Sequence, residues 1–275
     1  MRAITPLQRR LESLRAAGRA GVIPFVTGGH PDPAGVVPLL VALERAGAAA
    51  VEVGIPFTDP LADGPAIQKT SQVALEAGAS LALVLEAVAE FHRHSELPVV
   101  LMSYANPVLA YGIERFANVA RSAGVSGVLL TDLPPEERPD VWAALESREL
   151  DAIRLVAPTT GAERRRRLAA ESRGFVYCVS RLGVTGAGTE FAPELGALVA
   201  DVRAATTTPV AIGFGVRDEA RARRAAQLAD AVVVGAALCE RLEARRQEGL
   251  ERALADAEQF VSGLVRAVDE KGTPV

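Results

Sequence analysis

Short runs of aliphatic residues recur along the chain and alternate with segments whose apolar positions are spaced three and four residues apart. The eight runs are VIPFVT (22–27), AVEVGI (50–55), PVVLMSY (98–104), GVLLTD (127–132), AIRLVA (152–157), FVYCVS (175–180), PVAIGFG (209–215) and AVVVGAA (231–237). Continuous aliphatic runs of this kind are typical of parallel strands that are buried on both faces. The spaced pattern predicts amphipathic helices between them, for example over 38–47, 115–124 and 220–229.

Eight strands alternating with helices predict an α/β fold, a single (βα)8 TIM barrel over residues 1–275. An extra helix is expected at 6–17, before the first strand, and residues 242–271 predict one long closing helix or a broken pair. A short disordered tail is expected from about residue 270. The alternative is an open doubly wound sheet, but the first strand runs into TGGHPDP and not into the glycine fingerprint of dinucleotide-binding folds.

In a barrel of this type, function is expected in the loops that follow the strands. The loops after the last three strands are rich in glycine and read SRLGVTGAGTE, GFGVRD and GAAL. Glycine-rich loops that lead into helices offer backbone N–H groups and the positive end of a helix dipole to an anion. Three such loops on one rim predict a site for a small molecule that carries a phosphate, although any one of them alone is more typical of a tight turn.

Composition excludes several classes of function. The chain has 275 residues, a net charge of −4 and 49% hydrophobic residues, which gives no electrostatic reason to expect nucleic acid or an anionic membrane as a partner. The N-terminus does not resemble a signal peptide and no apolar run reaches about 18 residues, so a cytoplasmic protein is expected. Cys178 and Cys239 are expected as buried free thiols. We expect no metal site, since His92 and His94 are placed as solvent-exposed and His30 as a loop residue.

Three carboxylates stand in the otherwise apolar stretch VEVGIPFTDPLADGPAIQ (51–68). Glu52 lies inside a predicted buried strand, where an ionised acid without partners is costly. One interpretation is a structural ion pair with Arg154; the other is an acid–base group whose apolar surroundings raise its pKa toward neutrality. Asp59 and Asp63 lie on a loop that three prolines stiffen, so one of them could face the site and the other a partner.

This stretch, with TGGHPD before it and SRLGVTGAG and GFGV after it, resembles the tryptophan synthase α subunit over nearly the whole chain. The family motif, an acid followed by G-x-P-F-S/T-D-P-x-A-D-G-P, is highly specific. The resemblance implies a TIM barrel that cleaves indole-3-glycerol phosphate to indole and glyceraldehyde 3-phosphate, a retro-aldol reaction without metal or organic cofactor. It also implies a pyridoxal-phosphate β subunit as partner, in an α2β2 assembly.

The resemblance assigns roles by position. Glu52 matches the general acid–base, Asp63 the second catalytic carboxylate and Tyr177 an active-site tyrosine, which an ordinary core tyrosine would equally explain. The remaining matches fall into four groups. The phosphate contacts are Gly186, Gly215, Gly235 and Ala236, and the indole pocket is formed by Phe25, Met102, Leu129 and Phe214. The mobile loop contains Arg181 and Thr185, and the partner interface contains Pro56 and Asp59.

Several positions depart from the family pattern. Ala236 stands where the family usually has serine, and Thr131, Ala49 and Ala231 also replace commoner residues. These differences leave open a stand-alone lyase or a paralogue from a secondary pathway. A non-catalytic allosteric partner of a β subunit and another phosphate-handling barrel, an aldolase or isomerase, are the further alternatives.

Overall fold

A computed structural model describes residues 4–179, 193–213 and 215–269, and within these ranges the strands and helices alternate. The strands are β1 (Gly21–Thr27), β2 (Val51–Gly54), β3 (Val99–Ser103), β4 (Gly127–Leu130), β5 (Asp151–Ala152), β6 (Arg154–Val156), β7 (Val176–Val179), β8 (Val210–Gly213) and β9 (Ala231–Val234). The helices are α1 (Pro6–Ala16), α2 (Val36–Arg45), α3 (Pro65–Glu76), α4 (Leu81–Phe91), α5 (Ala105–Tyr111), α6 (Ile113–Ser122), α7 (Pro139–Ser147), α8 (Ala162–Glu171), α9 (Pro193–Ala205), α10 (Glu219–Leu228), α11 (Ala236–Arg245) and α12 (Leu250–Asp269).

All strand pairs are parallel, and the sheet order is β5-β4-β3-β2-β1-β9-β8-β7-β6. The fifth predicted strand is divided at Ile153 into β5, which pairs with β4, and β6, which pairs with β7. The segment 151–156 therefore joins the two edges of the sheet and closes the ring. The predicted TIM barrel is confirmed, and the prediction of one unbroken fifth strand is wrong.

The strands separate two apolar layers because successive side chains point to opposite faces. Val51 and Val53 pack outward, in the cluster between the sheet and the helices. A second cluster fills the barrel interior and includes Phe25, Leu129 and Ile153. The side chain of Glu52, which stands between the two valines, consequently points into the barrel interior.

Helix α1 covers the amino-terminal end of the barrel. Leu7 and Leu11 belong to the interior cluster, and the Thr5 hydroxyl caps the helix by accepting the Gln8 N–H. Thr5 Oγ1 also donates to Asp151 Oδ2 at 2.5 Å, which ties the start of this helix to β5. The extra N-terminal helix predicted from the sequence is therefore the floor of the barrel.

The C-terminal segment is a broken pair of helices. The first, α11, ends at Arg245, and α12 begins at Leu250, directly after Gly249 with φ 98°. Within the described ranges no single helix is long and apolar enough to cross a bilayer; α3 and α4 reach that length only together, across a 94° bend.

Candidate active site

Glu52 lies in the barrel interior as a buried acid without a hydrogen-bond partner. Its side chain is 1% exposed, and neither carboxyl oxygen has a partner among the described residues. Burial, and secondly the nearby Asp63 carboxylate, raise the pKa of Glu52 to about 8 from an ordinary 4.5. At neutral pH the group is mostly protonated and can both give and take a proton.

Asp63 stands on the loop between β2 and α3, and Tyr104 holds that loop in place. Burial raises the pKa of Asp63 to about 6, while a hydrogen bond with the Tyr104 side chain opposes the rise. The same Tyr104 hydroxyl accepts the Ala62 N–H at 2.9 Å. Tyr104 is buried at the end of β3, and its ring centroid lies 5.4 Å from that of Phe57.

Sequence reasoning missed Tyr104 as a site residue, although Tyr104 is the last residue of the third aliphatic run, PVVLMSY (98–104). A tyrosine that immediately follows a buried parallel strand was the available signal, because side chains at that position reach the neighbouring loops.

Tyr177 on β7 belongs to the same electrostatic group. Burial, followed by the charges of Glu52 and Asp63, raises the pKa of Tyr177 well above its ordinary value. Its hydroxyl lies over Gly213, where an added Cβ would stand only 2.2 Å from Tyr177 Oη. The absence of a side chain at Gly213 thus leaves the space that the Tyr177 side chain occupies. The three side chains assigned as catalytic by resemblance are brought together at one end of the barrel.

The walls of this region are apolar. Phe25, Met102 and Leu129 lie in the interior cluster or pack against it, and Met102 is partly exposed. The Phe25 ring occupies space that a side chain at Gly54 would fill, since a Cβ there would lie 2.6 Å from Phe25 Cζ. Phe214, the fourth predicted wall residue, lies outside the described ranges.

The helix after β9 offers an uncapped N-terminus on the rim. Gly235 is the N-cap residue of α11 and supplies no side-chain hydrogen bond, and Ala236 is exposed. In contrast, Asp218 caps α10 and accepts the Arg221 N–H at 2.8 Å. Among the described residues no side chain caps α11, so its positive N-terminal end and backbone N–H groups can stabilise an anion.

Of the other predicted phosphate contacts and mobile-loop residues, only Gly215 belongs to the described residues. Gly215 has φ 78°, a left-handed conformation that favours glycine, and its carbonyl accepts a hydrogen bond from Arg221 Nη1. Arg181, Thr185 and Gly186 lie outside the described residues. Their assigned roles stay predictions.

The loop that carries Asp63 also faces outward. Asp59 is exposed and accepts a hydrogen bond from the neighbouring Thr58 hydroxyl, whereas Pro56 is buried. Leu61 is 92% exposed, an unusual state for a leucine. The two predicted interface residues thus differ in exposure: Asp59 is accessible to a partner, whereas Pro56 is buried within the loop.

Two further sequence-based interpretations, those of Arg154 and His92, are changed by the structure, whereas His30 lies in the loop after β1 as predicted. Arg154 does not pair with Glu52, as the ion-pair interpretation required; it points to the helix layer and donates to Glu146 at 3.1 Å. His30 is buried, and its Nε2 lies 2.8 Å from Glu243 Oε2. His92 is only partly exposed, with Nδ1 3.0 Å from the Ser95 carbonyl.

The expectation for the two cysteines is confirmed. Cys178 and Cys239 are free and buried, and burial raises the pKa of each thiol to about 12. Across residues 4–179, 193–213 and 215–269, no group of three or more His, Cys, Asp or Glu side chains is arranged to hold a metal ion.

Comparisons with known proteins agree with this arrangement. Residues 11–269 match the family model described as tryptophan synthase alpha chain. A tryptophan synthase alpha chain of Laribacter hongkongensis is 46% identical over 264 residues, covering 96% of this chain and 98% of the relative. One from Azoarcus sp. is 44% identical over 267 residues, covering 97% of each chain.

A solved structure of similar shape is known as well. The crystal structure of tryptophan synthase subunit alpha from Legionella pneumophila has a TM-score of 0.88 and 34% sequence identity, with 97% of this chain and 99% of that chain covered. Since both the family model and these relatives span nearly the whole chain, the chain belongs to the tryptophan synthase alpha chain family.

Proposed function

We propose that the chain cleaves indole-3-glycerol phosphate to indole and glyceraldehyde 3-phosphate, by acid–base catalysis at Glu52. The observation that carries this proposal is a fully buried acid with a pKa of about 8 and no hydrogen-bond partner among the described residues, beside a second carboxylate at the rim. A group that is protonated at neutral pH, yet close to titrating, suits a reaction that needs one proton given and another removed.

The proposed reaction begins with proton transfer from Glu52 to C3 of the indole ring. The resulting iminium-like ring is an electron sink, and the Glu52 carboxylate then accepts the proton of the side-chain hydroxyl. As that C–O bond becomes an aldehyde, the carbon–carbon bond breaks and its electron pair restores the aromatic ring. Protons and electrons balance without any other reactant.

Asp63 is proposed to stabilise the charged ring. Cleavage places positive charge on the ring nitrogen only transiently, so an ionised carboxylate that accepts its N–H stabilises the transition state more than the substrate. The hydrogen bond with Tyr104, together with the bond from Ala62 N–H to the same hydroxyl, supports a fixed position for this carboxylate.

The substrate phosphate is proposed to bind at the N-terminus of α11. Gly235 and Ala236 provide backbone N–H groups there, and the helix lacks a side-chain cap that would compete with the anion. Gly215, on the neighbouring loop, and Gly186 complete the proposed set. Phe25, Met102, Leu129 and Phe214 are proposed as the walls around the indole ring.

We infer that the partner is a pyridoxal-phosphate β subunit in an α2β2 assembly, in the cytoplasm. The exposed Asp59 and Leu61, on the same loop as Asp63, support contact with a protein at this rim. A loop that joins the partner surface to a catalytic carboxylate also offers a direct route by which binding could influence cleavage.

An indole-release assay tests the proposal. Purified chain is given indole-3-glycerol phosphate with and without a cognate β subunit, and indole is quantified. Release that the partner stimulates supports the bienzyme assignment; equal high release without it indicates a stand-alone lyase. Complex formation without indole release would indicate a non-catalytic partner, and neither release nor complex formation would contradict the proposal and favour another phosphate-handling barrel.

A further inference from the structure

A cleft of about 680 Å³ is lined by residues of α7, α8, the segment around the start of α1 and the loop after β4. Arg154 of β6 and Trp142 of α7 are among its lining residues. The remaining apolar walls come from Ile4, Pro135, Pro139, Ala143 and Ala170. Its size is in the range of small-molecule sites, which are about 300–1,000 Å³.

Arg154 is a buried cation with unused hydrogen-bond donors. The residue is 5% exposed, and Nη2 donates to Glu146 at 3.1 Å. Nε and Nη1 are buried and have no hydrogen-bond partner among the residues that the structure describes. Because a buried charged donor without an acceptor is costly, these two donors favour any acceptor that can reach them, and Arg154 itself lines the cleft.

Trp142 fixes the plane of this guanidinium. The Arg154 Cζ atom lies 4.0 Å from the centroid of the Trp142 ring, in a cation–π contact. A planar guanidinium held against a ring presents its donors in a defined direction, and this geometry matches the two oxygens of a carboxylate. The apolar walls beside it suit the hydrocarbon part of the same molecule.

The surrounding charges limit the ligand to a single negative charge. Three arginines, Arg154, Arg167 and Arg173, and three acids, Glu136, Glu146 and Glu171, line the cleft, so the formal charge of the set is zero. The acids already have cationic neighbours: Arg164 and Arg167 contact Glu136, and Arg167 Nε is 4.0 Å from Glu171. A phosphate dianion would add a second negative charge beside these three carboxylates, so a ligand with one negative charge is favoured.

We propose that this cleft binds a small organic carboxylate, an apolar body with one carboxylate group, through the Arg154 guanidinium. The proposal is independent of the proposed lyase function, since it concerns a different face of the barrel. No covalent step is involved.

Trp142 is the chain's only tryptophan, so its fluorescence reports directly on this cleft. Cyclohexanecarboxylate, which does not absorb in this spectral range, is titrated into the full chain while emission is recorded. We expect a saturable change with a Kd of about 1 mM or tighter. Cyclohexanecarboxamide, the neutral analogue of the same shape, and inorganic phosphate are expected to produce no saturable change.

Variants test the role of the guanidinium. Arg154→Lys keeps a charge but loses the planar donors, and is expected to weaken binding by at least about tenfold. Arg154→Met should abolish it. The matched control is Arg115→Met, because Arg115 also lies over an aromatic ring, 4.4 Å from the centroid of Tyr111, but does not line the cleft; its Kd should equal that of the wild type.

Three results would overturn the proposal. No saturable response to the carboxylate would mean that the Arg154 donors are only hydrated. Equal responses to carboxylate and carboxamide would assign binding to the apolar walls alone. Unchanged affinity in Arg154→Lys would remove the guanidinium from the site. The wild-type comparison of carboxylate with carboxamide decides the question even if a variant fails to fold.

Discussion

The two ends of the barrel each hold a buried acid, and the two acids are treated differently. At the amino-terminal end, Asp151 is 0% exposed, accepts a hydrogen bond from Thr5 and lies 3.4 Å from Arg173 Nε. At the opposite end, Glu52 is 1% exposed and has no hydrogen-bond partner among the described residues. Burial is the first cause of a raised pKa in both, yet the pKa reaches about 6 for Asp151 and about 8 for Glu52.

The difference shows what partners do to a buried carboxylate. Thr5 and Arg173 lower the pKa of Asp151 against the effect of burial, so this group is mostly ionised at neutral pH and links the start of α1 to β5. Glu52 lacks such partners and has Asp63 as a like charge, which raises its pKa further. An equally buried acid is therefore structural at one end and available for proton transfer at the other.

The largest effect is expected from Glu52→Gln. The amide keeps the shape but cannot transfer the proton, so indole release should fall by about 10²–10⁴-fold, the usual contribution of general acid–base catalysis. Binding of a phosphate-bearing substrate analogue should stay near the wild-type value, as calorimetry can show.

Glu86→Gln is the matched control for that change. Glu86 is an exposed glutamate on α4, and the same substitution there should leave indole release unchanged. Substantial turnover by Glu52→Gln would remove Glu52 from the proposed mechanism.

The same variant should change how stability depends on pH. The raised pKa of Glu52 means that the folded state favours the protonated form of this side chain. The contribution of Glu52 to the free energy of unfolding is therefore most favourable below pH 4.5 and is lost as pH rises toward about 8. The loss amounts to at most about 1.4 kcal/mol per pH unit in that window. The Glu52→Gln variant should not show this loss of stability with rising pH, because its amide does not titrate.

Denaturant unfolding across pH 4.5 to 8 measures this effect. The variant's free energy of unfolding should rise relative to the wild type as pH increases, and the gap should be constant above pH 8. Parallel curves over the whole range would contradict a pKa near 8 for Glu52.

A smaller pH effect is expected from Asp151→Asn at the other end of the barrel. The pKa of Asp151 is raised only from 3.8 to about 6, so the free energy of unfolding of the variant should rise relative to the wild type only between about pH 3.8 and 6, and the gap should stay constant above that window. Indole release per folded molecule should be unchanged, because Asp151 lies at the barrel floor. A loss of turnover without a loss of stability would reverse the roles given to the two acids.

The smallest effect is expected from Ala236→Ser at the uncapped start of α11. The added hydroxyl gives the phosphate one more donor, which should improve substrate binding by about 0.5–1.5 kcal/mol, or roughly two- to tenfold in KM. Ala236→Gly, which adds no donor, is the control. An equal KM in both variants would show that this helix end does not bind the phosphate.

Much of the fold was predictable because its signals are local. Eight aliphatic runs correspond to the observed strands, and only the fifth is divided, at Ile153. A run of aliphatic residues cannot indicate such a division, since the division arises where one segment pairs with β4 on one side and β7 on the other. Likewise, whether residues 242–271 form one helix or two was left open, and the break at Gly249 resolves it.

The candidate site was predictable to a different extent. The burial of Glu52 between two valines was predictable, whereas its inward direction and the partner of Arg154 were not implied by the strands. Arg154 lies on the outer face, where Glu146 and Trp142 of α7 are its neighbours. The choice between an ion pair and a free acid at Glu52 therefore required the packing of the helices.

By itself, the sequence determined the alternation of strands and helices, the burial of an acid at position 52 and the motif that links it to Asp63. Only the tertiary structure decided which polar groups meet: Tyr104 with Asp63, His30 with Glu243, and Thr5 with Asp151, which are 146 positions apart. Periodicity and side-chain alternation act over a few residues, so a sequence displays them directly. Contacts between distant residues exist only once the barrel has closed, and it is these contacts that leave one buried acid partnered and the other free to react.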